Sequence, residues 1–480
     1  MLKRFHFHFL LVLLFFLLHG YSEYVGLIPF IDLFIFFIIG AIVGFLVFFI
    51  FKKLTRSSLK AGILTSLLFL FYLFYGSIRD ALKPGFLSRY SVLLPAMLII
   101  IIGVAVYFRR SKKEFPKLTL FINCLLLVYL AVDAATITFK SPAPVTTNAN
   151  FTKCDTCRKP DIYLIIMDAY AGRRTLQEHF NYNNESFATA LRSRGFFVPP
   201  SPSSNYSATP VSIASLFAMD YLPEFHRRIT VEDYTRSEQK VNKSITLQLL
   251  KAHGYQFINH SIFNLDGQPG RFSTDLLPMR LRLITHKTLW NSIYKDLGWQ
   301  IHVKVAPKIK WVAGMLQDDY SSGNRRLMQH TRETALEKAS QPRFVYTHLL
   351  MPHWPYLYDS TGRETGINFY SDNISLQQKE AAYIQYLAYT NKRMLEMVDY
   401  IQKESGGQSV IILMSDHGYR DWRGKEDTNA NRNDNFSSVY IPGNNYRLYY
   451  DSISNVNVLR SLFTTLFHQQ FAPLPDKSIF

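Results

Sequence analysis

Ser409-Val410-Ile411-Ile412-Leu413-Met414-Ser415-Asp416-His417-Gly418 runs from an apolar, β-branched segment into an acid, an imidazole and a glycine. The apolar part has the composition of a strand buried on both faces of a parallel sheet. An Asp and a His side by side at its carboxyl end stand where open α/β sheets place their ligands. Both side chains are metal ligands, and Gly418 lets the backbone turn tightly behind them. As a bare strand-to-loop turn, Asp-His-Gly would need no function. A second run far upstream, Asp161 to Met167 (DIYLIIM), also ends on a carboxylate, Asp168. Two hydrophobic strands that each deliver an acid at the same end can converge on one cation.

Outward from these strands, the 480 residues are 48% hydrophobic with a formal net charge of +17, an average over two unlike halves. Phe, Leu and Ile dominate the first, whereas the second has ordinary globular composition and length enough for a full α/β domain. Apolar stretches near Phe5–Tyr21, Leu27–Phe51, Ala61–Ile78, Ser91–Phe108 and Leu118–Phe139 predict about five transmembrane helices. The first has a basic start at Lys3 and Arg4, but His19-Gly20-Tyr21-Ser22 offers no small-residue cleavage site, so it reads as a retained helix. Basic loops at Lys52, Lys53, Arg56 and Lys60, and again from Arg109 to Lys117, belong on the cytoplasmic side. The loop with Arg79, Asp80, Lys83 and Arg89 fits the outer side less well. Five crossings that start inside put everything after Phe139 outside. The expectation is a multi-pass protein of the inner (plasma) membrane with an extracytoplasmic, periplasmic catalytic domain. Its parts are a membrane domain over 1–140, a linker over 141–160 that begins with the Pro/Thr/Asn-rich SPAPVTTNAN, and a catalytic domain over 161–480. The basic excess is topology information, and no basic-aromatic nucleic-acid motif accompanies it.

Three cysteines occur. Cys124 lies inside an apolar span and packs there. Cys154 and Cys157 form a lone C-x-x-C without the second pair a zinc knuckle needs, and outside the cytoplasm a small structural disulfide is expected.

In the second half the pattern predicts helices around Glu185–Arg194, Thr209–Met219, Ser244–His253, Leu376–Lys403 and Val456–Phe467. Strands are expected at Tyr255–Asn259, Arg343–Leu350 and Phe436–Ile441, and Leu276–Ser340 reads as a basic, aromatic, mostly helical insertion or cap. Thr209-Pro210 is a helix start: Thr caps well, and Pro suits the first helical position. Capping alone would account for it. A helix N-terminus behind a polar loop also binds anions, and a hydroxyl there becomes a nucleophile if a divalent cation lowers its pKa. Ser207 and Ser212 are rivals for that place. His353 in Met351-Pro352-His353-Trp354-Pro355-Tyr356 is either a packed turn residue or a site residue, and His348, inside a strand, reads as a core histidine. Arg420, Arg423 and Lys425 either neutralise a phosphate or form a solvated loop.

A strand ending in Asp, a Thr at a helix start and a late strand ending Ser-Asp-His-Gly together resemble the alkaline phosphatase superfamily. The closer likeness is to its membrane-anchored sulfatase-like branch, which includes lipoteichoic acid synthases and phosphoethanolamine transferases. The resemblance implies an alkaline-phosphatase-like central sheet flanked by helices, after an all-α membrane domain. It also implies that Asp168, Thr209, Asp416 and His417 hold one divalent metal ion, manganese or zinc, and that Thr209 is the nucleophile. His353 falls where the family contacts the phosphate or leaving group, and Arg420 joins it as a substrate-binding residue. The function implied is a phospho-group transferase acting on lipid-linked or envelope phosphodiesters. A sulfatase-like ester hydrolase without transfer is the alternative, and a non-catalytic membrane sensor a remote one. Several features depart from the family pattern. No Cys-x-Pro-x-Arg signature is present, and threonine cannot form the sulfatase aldehyde. Ala169 stands where sulfatases tend to have a second acid, and Asp168 where the transferases often have Glu. His348 and His353 can contribute to a second metal site, but a full second set is lacking. Membrane lipids or lipid-linked head groups are the expected partners, nucleic acid is not, and the sequence says nothing of oligomeric state.

Overall fold

The computed structural model describes residues 5–140, 151–271, 279–300, 310–367, 369, 374–422 and 427–480. The chain divides into two compact units, one of Met1–Pro144 and Leu277–Ile301, the other of Val145–Leu276 and His302–Phe480.

The first unit is helical: α1 (His8–Glu23), α2 (Phe30–Thr55), α3 (Ser58–Leu73), α4 (Tyr75–Ala81), α5 (Tyr90–Arg110) and α6 (Pro116–Phe139). Among the described residues three of these, α2, α5 and α6, are long and apolar enough to cross a membrane. The pair α3 and α4, bent by 66°, makes a fourth if it counts as one span. The expected five is therefore slightly too many, for two physical reasons. At 16 residues α1 reaches about 24 Å, short of a hydrocarbon core of roughly 30 Å. The Ala61–Ile78 candidate breaks at Phe74, and just past the break the Gly76 N–H bonds to the Lys287 carbonyl at 2.7 Å.

Helix α1 lies closely on α2 because glycines on α2 leave room for it. A Cβ at Gly40 would stand 2.7 Å from Leu13, and one at Gly44 2.7 Å from Phe9. Small residues four apart are how apolar helices approach where water supplies no driving force. Gly44→Leu should therefore destabilise the unit by roughly 1–3 kcal/mol through overpacking. Thermal unfolding of the detergent-solubilised full chain reads this as a lowered midpoint, and an unchanged midpoint contradicts the packing.

Both basic loops sit at one end of this unit. Lys60 Nζ donates to the Ser111 carbonyl at 2.7 Å, and Ser57 bonds to Glu114. The loop that fitted the outer side poorly has its charges matched instead: Arg79 pairs with Asp296, and Asp80 with Lys83 and Lys287.

The second unit is built on a five-stranded sheet. Its strands are β1 (Ile162–Met167), β2 (Gln256–His260), β3 (Arg343–Leu349), β4 (Val410–Met414) and β5 (Ser437–Tyr440), in the order β2-β3-β1-β4-β5. The first four run parallel and β5 antiparallel, so the sheet is mixed. Alternate residues of β1 face opposite layers. Ile162, Leu164 and Ile166 join Val211, Leu216 and Phe217 of the Thr209–Ala218 helix. Tyr163, Ile165 and Met167 join Leu387, Met394 and Val398 of the Leu376–Glu404 helix. Burial on both faces is why these strands read as unbroken apolar runs. Register brings their carboxyl ends level: Ile166 pairs with His348 on one side and with Met414 on the other. Asp161 fixes the opposite end, accepting from the Arg343 backbone N–H at 2.7 Å and from its guanidinium at 2.6 Å. Cys154 and Cys157 are joined by a disulfide ahead of β1.

Candidate metal centre and active site

Asp168 follows β1 and the Ser415-Asp416-His417-Gly418 turn follows β4, its parallel neighbour, so the sheet itself places the two acids side by side. The two turns hold each other. The Ala169 N–H donates to Asp416 Oδ1 at 3.1 Å, and the Tyr170 N–H donates to Ser415 Oγ at 2.9 Å. Ala169 adopts a left-handed backbone (φ 61°), and Tyr383 secures it by donating to the Ala169 carbonyl at 2.9 Å. Strain of this kind persists where surrounding bonds over-determine it, and it clusters at functional sites. The Ser415 and Asp416 carbonyls accept from Asn455 at 3.1 and 3.2 Å, and Asn435 adds a bond to Ser415 at 2.8 Å. A Cβ at Gly418 would meet the Asp434 carbonyl at 2.1 Å, so glycine is required for this close approach.

His417 is fully buried. Its Nδ1 donates to the Gly418 carbonyl at 2.7 Å, which leaves Nε2 with a lone pair. That lone pair lies 3.3 Å from Asp416 Oδ2 and 3.6 Å from Asp168 Oδ1. Three acceptors facing one another repel unless a cation stands among them. Asp168 Oδ1, Asp416 Oδ2 and His348 Nε2 are all buried without a hydrogen-bond partner. One ligand atom each from Asp168, His348 and Asp416 lies within 4.8 Å of the others. Buried acceptors left unpaired are costly, and buried charges are normally paired or hold a metal. This donor set, two carboxylates with imidazole nitrogens, suits a divalent metal ion.

The local electrostatics favour the ligand forms. Burial alone would raise the Asp168 carboxyl, but its imidazole neighbours His353, His348 and His417 hold it well below the usual carboxylate range. Burial pushes the His417 imidazole below its ordinary value, against the pull of Asp416.

Thr209 opens the Thr209–Ala218 helix, with Ala208 as the residue before it and no side-chain cap. The hydroxyl therefore does not cap the helix, which differs from the sequence expectation. Oγ1 instead lies 3.3 Å from His417 Nε2, close to the acceptor cluster. Of its rivals, Ser212 donates to the Asp416 carbonyl at 2.5 Å, whereas Ser207 lines the same cavity as Thr209. That cavity has a volume of about 640 Å³, and Asp168, His353 and Arg420 also line it. His353 Nδ1 donates to the Trp354 carbonyl at 2.6 Å, leaving Nε2 available. Arg423 and Lys425 lie outside the described residues.

His348, which the sequence reads as a core histidine or as a contributor to a second metal site, stands in the same cluster. It is fully buried on β3, and its Nε2 stands 3.5 Å from Asp168 Oδ2. Tyr346, two residues earlier on the same face, bonds its Nδ1 at 3.0 Å. The available signal was the strand pairing: β3 lies directly beside β1, so a histidine near its carboxyl end comes level with Asp168.

A mixed sheet thus carries a buried Asp/His/Asp group at its strand ends, beside a threonine that starts a helix. The sulfatase family model matches residues 200–435, which include Thr209, His348, His353, Asp416 and His417 but not Asp168. The sulfatase family match thus covers just under half of the chain, with the apolar helices α1–α6 ahead of it. Among solved structures it is similar to the integral membrane lipooligosaccharide phosphoethanolamine transferase A of Neisseria meningitidis, at 10% identity and a TM-score of 0.42, over 95% of each chain. The C-terminal periplasmic domain of EptC from Escherichia coli is similar at 10% identity and a TM-score of 0.42, over 67% of this chain and 86% of that one. The phosphonate monoester hydrolase of Agrobacterium radiobacter is similar at 11% identity and a TM-score of 0.39, over 64% and 74%. No curated protein matches the chain.

Proposed function

We propose that this protein is a phospho-group transferase acting on lipid-linked or envelope phosphodiesters, with Thr209 as nucleophile. The observation that carries the reading is the position of the Thr209 hydroxyl. It is unused as a cap, it borders the cavity, and it stands 3.3 Å from an imidazole in a cluster of unpaired acceptors. Asp168, Asp416, His417 and His348 would hold one manganese or zinc ion, with Thr209 beside them. Bound there, the ion supplies positive charge that lowers the pKa of a neighbouring hydroxyl and offsets charge on phosphoryl oxygens.

The chain's own residues do the rest. Thr209, ionised with its hydroxyl proton released to solvent, attacks phosphorus in line through Oγ1, forming a phosphothreonine that carries the head group as the lipid alkoxide departs. His353, through Nε2, gives that alkoxide its proton. An acceptor hydroxyl then gives its proton to His353 Nε2 as its oxygen attacks the phosphothreonine, which frees Thr209 in its ionised form. Arg420, on the cavity wall without a carboxylate partner among the described residues, offsets the negative charge of the phosphate. The basic loops gathered at one end of the first unit support an inner-membrane protein whose second unit is extracytoplasmic.

The test is a comparison of substrates with the metal-loaded full chain in detergent. A phosphodiester donor should be turned over, the head group should appear joined to an added alcohol, and an aryl sulfate should not be cleaved. Cleavage of the sulfate at a comparable rate, or release of free head group only, excludes transfer as the principal reaction.

A further inference from the structure

Beyond Thr209 and His353, the cavity has a strongly one-sided wall. Three guanidinium side chains line it, those of Arg227, Arg420 and Arg432, and the only carboxylate among the described lining residues is Asp168 in the buried cluster. Arg227 and Arg432 are brought together by Asp427. Arg227 Nη2 donates to Asp427 Oδ1 at 2.8 Å, and Arg432 Nε donates to the same oxygen. Hydrogen bonding to Arg432 and Arg227 holds the Asp427 carboxyl below its ordinary range, so one negative charge is shared by two positive ones. Each of these two guanidiniums engages Asp427 through a single nitrogen, leaving further N–H donors on both. Arg420 has no ion-pair partner among the described residues. Ile229, Ile262 and Leu350 form an apolar side of the same cavity.

An ammonium placed against this wall would meet like charge, and the one carboxylate beside the arginines among the described residues, Asp427, is already shared by two of them. A phosphate or carboxylate would meet guanidinium N–H donors that Asp427 does not engage. We propose that Arg227 and Arg432, apart from the Arg420 assigned to the reacting phosphate, form a second anion subsite, selecting a substrate that bears a phosphate or carboxylate beyond the reacting phosphorus over one that ends in an ammonium. This rests on the reaction proposed above, in which the first phosphate lies at Thr209.

Phosphoglycolate and O-phosphoethanolamine share a phosphomonoester and a two-carbon arm, and their far ends carry opposite charge. Isothermal titration of each into the zinc-loaded full chain should give at least about tenfold tighter binding of phosphoglycolate. Arg227→Glu combined with Arg432→Gln, with folding checked by the thermal midpoint, should reduce that preference to within about threefold. The phosphoethanolamine affinity should stay level or improve. Equal affinities in the wild type overturn the proposal. So does a preference that survives the double substitution, because the carboxylate is then held elsewhere than by Arg227 and Arg432. Covalent labelling of Thr209 by a phosphodiester donor is read separately. Labelling without the binding preference removes the subsite and keeps the transfer reaction, and the preference without labelling does the reverse.

Discussion

Thr209→Ala should lower turnover of a phosphodiester donor by on the order of 10⁴-fold or more while leaving the protein folded. The large effect is expected because a nucleophile and its activating groups act as a unit. The remaining binding residues then give only a small residual rate. The small structural effect follows from what the side chain touches. Its hydroxyl does not cap the helix, and its one hydrogen-bond contact among the described residues is His417 Nε2 at 3.3 Å. The thermal midpoint should move by a few degrees at most. Thr209→Ser keeps an oxygen at the same place and should retain activity well above that of the alanine variant. If the alanine variant keeps the wild-type rate, the nucleophile is elsewhere, and Ser207 on the same cavity wall becomes the candidate.

Removal of the metal should have the second large effect, on stability as well as on rate. The cluster packs two carboxylates and two imidazoles with three buried atoms unpartnered. A ligand that binds only the folded state stabilises it by about 4 kcal/mol at a thousandfold excess over its dissociation constant. Chelation of the purified full chain should abolish turnover and lower the unfolding midpoint of the second unit by several degrees, and added zinc or manganese should restore both. His348→Gln should weaken metal retention by about 10–100-fold, the range expected for a residue that orients or completes a metal site. Full activity after exhaustive chelation, with an unchanged midpoint, would remove the metal from the description.

The sequence announced the fold where burial is symmetrical and hid it where burial is one-sided. Strands β1, β3 and β4 are enclosed on both faces, so their unbroken apolar runs could be read directly. The helix Val231–Asn242 could not, because its polar surface conceals its apolar face. Its signature was the capping box of Thr230 and Asp233, a short pattern easily lost in a polar stretch. In the first unit hydropathy marks the apolar runs but not where they bend. The break before Gly76 depends on a carbonyl at Lys287, more than two hundred positions later, which no local window contains. That same tertiary fact explains why the segment around Lys287 belongs to the first unit although it follows β1 and β2 in the chain.

The site shows the same division. Asp168, Asp416 and His417 were legible because each lies at the end of an obvious strand. His348 was not, because a histidine within a strand is most often satisfied in the core. Only the pairing of β3 beside β1 shows that its Nε2 stands 3.5 Å from Asp168. Arg227 and Arg432, 205 positions apart, give no sequence hint that one carboxylate, Asp427, gathers both. The side chains that hold the Ser415-Asp416 backbone, Asn435 and Asn455, are equally silent, since asparagines in loops usually serve local turns.

The most direct measurement is peptide mapping by tandem mass spectrometry of full-length protein quenched during turnover of a phosphodiester donor, with and without prior chelation. The expected result is a phospho-head-group adduct on Thr209 in the metal-loaded sample, absent after chelation and absent from Thr209→Ala. An adduct on another residue, or sustained turnover by Thr209→Ala, would show that no metal-activated threonine does the chemistry.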